Sequence, residues 1–233
     1  MLGRPYADKL RHVAFGVVLH EDRSCKRVGT WLRGASRNGA VALRWVLDEA
    51  VAAAREVVAE KSPLMSEEAR EEVAQAVGIG AVVFNDLKNS RISNVKFELG
   101  KMVRFHGDTG PYLQFTHARL CSIQRKFAQE HPAPPPPDWA LLTRDDEKNV
   151  LLIASLTPAL ERAVEADEPS IVALALLRLA SAVSSWLSSP DPSAHVLCDN
   201  PALAATRLCV AQAAQISLHE GLRLLGVKAP MQM

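Results

Sequence analysis

Residues Gly107-Asp-Thr-Gly-Pro-Tyr-Leu-Gln-Phe-Thr-His-Ala-Arg119 decide what this chain folds into. Pro111 suits the first turn of a helix, where its missing N–H leaves nothing unpaired. The positions after it predict one long helix to about residue 130. On that helix Tyr112, Gln114, His117 and Arg119 stand at i, i+2, i+5 and i+7. Tyr112 and Arg119 share a face about two turns apart, while Gln114 points elsewhere. Two roles compete for these side chains. A tyrosine can stack on a base and an arginine can pair with a phosphate. Equally, Tyr112, Gln114 and His117 can hold the helix against a core by hydrogen bonds. Arg125 and Lys126 end the helix, either to meet a nucleic-acid stem or to complement the helix dipole.

Downstream, His131-Pro-Ala-Pro-Pro-Pro-Pro137 predicts a stiff, extended linker. Three helices are expected after it, near 144–165, 169–188 and 200–225. Val172, Leu176, Leu179, Val183 and Trp186 form one apolar stripe, and Leu208, Ala211, Ala214, Leu218, Leu222 and Leu225 form another. Such stripes predict a packed bundle. Upstream, the β-branched run at 12–19 predicts one strand and the polar stretch 20–40 a loop or hairpin. A helix is expected near 43–60, with Leu43, Val46, Leu47, Ala50, Ala54 and Val57 inward. Another should start after Ser66 as N-cap and end at Gly78 as C′ residue. Ala81 to Leu87 would then be a separate short helix. The fold class is mainly α: a helical bundle over 104–233, with an insert at 131–137, preceded by a short α/β portion over 1–103.

Apolar residues make up 48% and charged residues 23% of the 233, an ordinary balance for a packed domain. No apolar run approaches the roughly 18 residues that cross a bilayer, so no membrane partner is expected. The first residues lack the apolar core of a secretion signal. Cys25, Cys121, Cys198 and Cys209 form no C-x-x-C pair and have no histidine to complete a zinc set, so free buried thiols and no metal are expected. His106, His195 and His219 lack a carboxylate at catalytic spacing, and Ser36 and Ser122 lack a base. Residues 1–130 carry 20 Lys and Arg against 15 Asp and Glu; residues 131–233 carry 7 against 11. Phosphate contacts should therefore lean on the first part. The densest basic stretch is Lys26, Arg27, Arg33, Arg37 and Arg44, a phosphate-binding run or a solvated loop.

The run from Gly107 to Lys126 is similar to one in arginyl-tRNA synthetases: an acid or Asn and Thr, Tyr-x-Gln-aromatic, His-Ala-Arg, then Ser-Ile-x-Arg-Lys. The likeness is strongest with fungal-type forms. Gly78-Ile-Gly-Ala81, Asp86-Leu87, Arg91-Ile92, Phe97 and Met102 resemble the family's preceding segment. Residues 12–19 resemble its last core strand, Leu47-Asp-Glu-Ala50 the helix after its signature loop, and Gly221 to Met233 its closing segment. The likeness covers nearly the whole chain. It implies a DALR-type anticodon-binding bundle behind the tail of a class I synthetase core. It also implies tRNA-binding roles for Tyr112, Gln114, His117, Arg119, Arg125, Lys126 and Met233, the last matching a terminal Met placed near the anticodon.

The chain departs from the family pattern in three places. The family's adenylate-forming half, with its His-x-Gly-His motif, falls before residue 12. The chain alone is therefore expected to be inactive, with ATP and Mg entering only if that half is supplied. The mobile Lys-Met-Ser-Lys-Ser-like loop is altered to Gly34-Ala-Ser-Arg-Asn-Gly39, leaving Ser36, Arg37 and Gly39 but no second cation. The family's aromatics on the helix at 171–188 are replaced by Ala175, Val183-Ser184 and Trp186-Leu187. The expected function is the tRNA-binding portion of an arginine–tRNA ligase, with tRNA(Arg) or another structured RNA as partner and no DNA. The alternative is a non-catalytic paralogue serving as an RNA-binding or scaffolding subunit. Further partners would be a separate adenylate-forming half or a larger ribonucleoprotein assembly. The expected compartment is the cytoplasm, with an organellar matrix as the alternative.

Overall fold

A computed structural model of the protein describes residues 10–16, 18–19, 41–96 and 98–233. The altered loop residues Ser36, Arg37 and Gly39, and with them Lys26, Arg27, Arg33 and Phe97, lie outside the described residues. Helix α1 (Val41–Lys61) and helix α2 (Glu67–Leu87) form a hairpin joined by residues 62–66. Ser66 caps α2, its side chain accepting from the Ala69 amide at 3.2 Å. Ala50, Ala54, Val58, Val73 and Val77 are buried between the two helices. Outside, Arg55 grips the Glu71 carboxylate with two bonds of 2.7 and 2.9 Å. The Arg55 bond, helped by one from Gln75, holds that carboxyl down at about 2.

The expected stop at Gly78 does not occur. Helix α2 continues through it to Leu87, absorbing the separate helix expected at 81–87. Gly78 and Gly80 are small for packing, not for a turn. A Cβ on Gly78 would lie 2.6 Å from the Val51 Cα, and one on Gly110 2.7 Å from the Gly80 carbonyl oxygen. Glycines thus let α2 touch α1 on one side and the next long helix on the other.

Helix α3 (Leu99–Met102) is one turn. Helix α4 (Gly110–Glu130) carries most of the 107–119 motif and begins where Pro111 places it. The expected 144–165 helix is two, α5 (Arg144–Ala154) and α6 (Leu156–Ala166). Pro158 cannot donate to a carbonyl one turn back, so the ladder restarts before it and Pro158 sits in the first turn of α6. Helices α7 (Ser170–Leu187) and α8 (Pro201–Leu224) complete the bundle. Leu113, Leu120, Leu176, Leu179, Val183, Leu218 and Leu222 are fully buried where α4, α7 and α8 meet, joined by Phe84 from α2. Each such side chain contributes roughly 1.5–3 kcal/mol by leaving water. Both expected stripes face this core; of their members only Leu208 is partly buried.

The expectation that no apolar stretch reaches about 18 residues is corrected by α7, which among the described residues is the one helix long and apolar enough to cross a membrane. Half of it is buried inside the bundle, including its whole stripe. The strand expected at 12–19 reduces to β1 (Val18–Leu19), which pairs in parallel with β2 (Val95–Lys96). Val13 and Phe15 are exposed, and residues 10–16 take no regular pairing.

A polar knot, invisible in the sequence, ties α5, α7 and α8 together. Asp146 is fully buried and Arg207 is 2% exposed. Arg207 Nε donates to both Asp146 oxygens at 3.0 and 3.1 Å. Trp186 Nε1 donates to Oδ1 at 2.9 Å, and Thr143 donates its amide and hydroxyl to Oδ2 at 2.9 and 2.8 Å. Arg207 Nη1 donates to the carbonyls of Ser193 and His195.

Candidate nucleic-acid interface

Helix α4 is aimed by its first turn. The Thr109 hydroxyl accepts from the Tyr112 amide at 3.2 Å and donates to the Arg104 carbonyl at 2.6 Å. Upstream, Lys88 Nζ donates to the Asp108 carbonyl at 2.6 Å, and burial lowers its pKa from the ordinary value against the pull of Asp108. The N-terminal end of α4 is therefore fixed to the end of α2.

Gln114, His117, Cys121 and Arg125 follow one another by three and four residues, so they form one face. The chain's last residues run along that face. Gln114 Nε2 donates to the carbonyls of Ala76 (2.9 Å) and Lys228 (2.7 Å). His117 Nδ1 lies 2.9 Å from the Pro230 carbonyl oxygen, which can only accept, so Nδ1 carries the proton. Its Nε2 then accepts from Gln215 at 2.7 Å. Arg125 Nη1 donates to the Met231 carbonyl at 3.2 Å. Burial lowers the His117 pKa, nearby His219 adds to this, and the Pro230 bond opposes it. The imidazole is thus held neutral. Burial likewise pushes the Cys121 thiol up, against the charge of Arg125.

Gln114 and His117 are completely buried. They present no surface in this structure and hold the tail instead. Tyr112 and Arg119 face α7 instead. The Tyr112 hydroxyl donates to the Ala180 carbonyl at 3.2 Å. Arg119 donates to the Leu187 carbonyl and Ser188 hydroxyl at 3.4 and 3.3 Å, long bonds that leave it partly exposed. Lys126 is exposed on the outside of the helix. Met233 packs with Met65 and Phe105 against the α1–α2 core.

Two clefts flank the tail. One, of about 890 Å³, is lined by Met65, Glu72, Arg125, His219, Arg223 and Lys228 among others. The second, of about 500 Å³, brings together Lys61, Phe115, Arg119, Ser122, Arg125 and Met233, with no acidic side chain in its lining. Phe115 is 37% exposed. Phe105 meets its ring edge-on at 6.2 Å, and the Arg119 guanidinium lies 6.0 Å from its centre. Sequence reasoning singles out Arg119, Arg125 and Met233 but misses Phe115, Lys61 and Arg223. A signal for Phe115 exists: it stands four residues before Arg119, on the same helical face. Among the described residues no three His, Cys, Asp or Glu side chains gather as a metal site.

A glycine-packed hairpin leads into a bundle whose central helix binds the chain's own last residues beside a cationic, aromatic cleft. Comparison with known families assigns the bundle to an anticodon-binding domain and the segment before it to a class I synthetase catalytic domain. The DALR anticodon binding domain matches residues 113–233, and the class I tRNA synthetase (R) catalytic domain matches residues 1–99. The chain is 39% identical over 234 residues to the arginine–tRNA ligase of Latilactobacillus sakei and 36% identical over 236 residues to arginine–tRNA ligase 1 of Bacillus cereus. All of this chain is covered in both comparisons, against 38% of each relative. The arginyl-tRNA synthetase of Thermus thermophilus superposes over 95% of this chain and 35% of its own, with TM-score 0.82 and 32% identity. The Plasmodium falciparum enzyme, at TM-score 0.72 and 18% identity, shares the fold. The chain belongs to the arginyl-tRNA synthetase family. It spans little more than a third of the length of these relatives, which are bacterial for the sequences named, against the fungal leaning of the motifs.

Proposed function

We propose that this chain is the tRNA-binding portion of an arginine–tRNA ligase, acting on tRNA(Arg) in the cytoplasm together with an adenylate-forming portion that brings ATP and Mg. The observation that carries this is the smaller cleft. Single-stranded RNA is recognised by stacking unpaired bases on aromatic rings while cations track the phosphates. Phe115 supplies the ring, and Lys61, Arg119 and Arg125 supply the charge. Most of that lining comes from the first 130 residues, where the positive charge resides. In this reading Phe115, Arg119, Arg125, Lys126 and Met233 meet RNA. Tyr112, Gln114 and His117 position the helix and tail that carry them.

Titration with tRNA(Arg) tests it. Affinity should fall steadily as salt rises, by a log–log slope of roughly −0.7 to −0.9 per phosphate contact. Absence of binding at low salt removes the proposal. A second reading, a non-catalytic RNA-binding paralogue, draws on the replaced aromatics of α7. Val183 and Trp186 are buried, so those two changes alter core packing rather than a surface. A pull-down separates the readings: an adenylate-forming portion should be recovered in the first, ribosomal or scaffold proteins in the second.

A further inference from the structure

We propose that Arg91 and the Asp167–Glu168 turn form a latch that seats residues 10–16 on the helical bundle and can release them while the bundle stays folded. The inference stands independently of RNA binding. Arg91 lies in the turn after α2 and reaches in two directions. Its Nη1 donates to the Ala14 carbonyl at 2.6 Å, and its own carbonyl accepts from the Gly16 amide. On the other side its Nε donates to the Asp167 carbonyl at 2.9 Å, and its amide to the Glu168 carboxylate at 3.3 Å. Ser90 and Ser170 complete the Glu168 carboxylate with hydroxyl bonds of 3.1 and 2.9 Å. Arg11 adds an outer tie, with Nε 2.8 Å from the Asp167 carboxylate and a bond of 3.4 Å to the Glu165 carbonyl.

The turn is shaped for this work. Asp167 is the one non-glycine residue with positive φ (49°) among the described residues. That left-handed step ends α6 and turns its carbonyl toward Arg91. A side chain carries a conformational cost there, and the contacts it presents to Arg11 and Arg91 offset it.

Over residues 11–15 the seat is made by polar contacts: these residues are exposed, with Val13 at 42% and Phe15 at 83%. Little apolar burial holds these five residues down, and intramolecular hydrogen bonds give only modest net stabilisation. The bundle's own core lies elsewhere, among α4, α7 and α8. Local opening without global unfolding is expected of such a unit. The latch also joins the two family segments. Ala14, Gly16 and Arg91 belong to the stretch matched by the catalytic-domain family, Asp167 and Glu168 to the stretch matched by the anticodon-binding family. Helix α7 starts at the latch and is gripped further along by Tyr112 and Arg119. Arg91 is thus a positioning residue between the two segments.

Hydrogen exchange on the full chain tests this. In Arg91→Ala, peptides covering residues 10–16 should exchange at least tenfold faster, while α7 and α8 amides change less than twofold. Glu168→Gln should give an intermediate rise, and Arg11→Ala, whose side chain is already largely exposed, the smallest. Equal exchange of residues 10–16 in the parent and Arg91→Ala overturns the latch. So does acceleration shared equally by α7 and α8, which makes Arg91 a strut of the core. Should Arg91→Ala fail to fold, Glu168→Gln decides: faster exchange confined to residues 10–16 supports the latch, and unchanged or global exchange overturns it.

Discussion

Two polar assemblies of the bundle, one buried and one bordered by clefts, are built on opposite terms. At the Asp146–Arg207 knot, both carboxylate oxygens are bonded by Arg207, Trp186 and Thr143, and Arg207 Nη1 is held by two carbonyls. Neither cleft beside the tail borders it. At the seam between α4 and the tail, Gln114, His117 and Arg125 each hold one tail carbonyl, Gln114 Oε1 is left without a partner, and clefts open on both sides. A densely bonded, buried network fixes geometry, and losing one member leaves a charge stranded. A row of single bonds fixes a segment less firmly. The knot sets the shape of the bundle; the seam presents the tail to whatever enters the clefts.

The contrast makes ranked predictions. Asp146→Ala strands Arg207 and should cost about 3–5 kcal/mol, read as a lower urea midpoint. A loss under about 1 kcal/mol would erase the distinction between knot and seam. His117→Ala should cost roughly 1–3 kcal/mol and raise exchange in residues 227–233 while the core amides keep their protection. If it destabilises as much as Asp146→Ala, the seam is a second knot. Acid should act on the seam more gently. The folded His117 pKa lies below its ordinary value of 6.5, so its contribution is fully present above about 6.5 and is lost as pH falls below that. Thermal stability should therefore drop between about pH 7.5 and 5.5 by more in the parent than in His117→Gln. Equal drops would place the sensitivity elsewhere. Lys126→Ala, on the exposed side of α4, should change stability by no more than about 0.5 kcal/mol.

Much of the fold is legible in the sequence, for physical reasons. Pro111, Ser66 and the apolar stripes act within one or two turns of their own helix, so they locate α4, α2, α7 and α8 closely. Gly78 misleads because a glycine that ends a helix and one that lets two helices touch look alike until the partner's backbone is present. Pro158 decides the break before α6, although the apolar pattern runs on across it. The knot is hidden because Asp146, Trp186 and Arg207 are far apart in sequence; only Thr143-x-x-Asp146, a capping box, hints that Asp146 turns inward. The motif at 107–119 identifies the family, yet leaves open whether Gln114 and His117 face a ligand or the core, and the structure buries both. The motif's residues sit on two buried faces, and the tail that covers one of them arrives from more than 100 residues away. Phe115, between those faces, is left exposed.

The claim that α4 holds the tail with one face and meets RNA with another is tested most directly by Phe115→Ala. The variant should fold with nearly the parent's urea midpoint. Its affinity for tRNA(Arg) at low salt should fall by roughly 5- to 150-fold, the loss of one stacked base at about 1–3 kcal/mol. Unchanged affinity in the folded variant would contradict the claim.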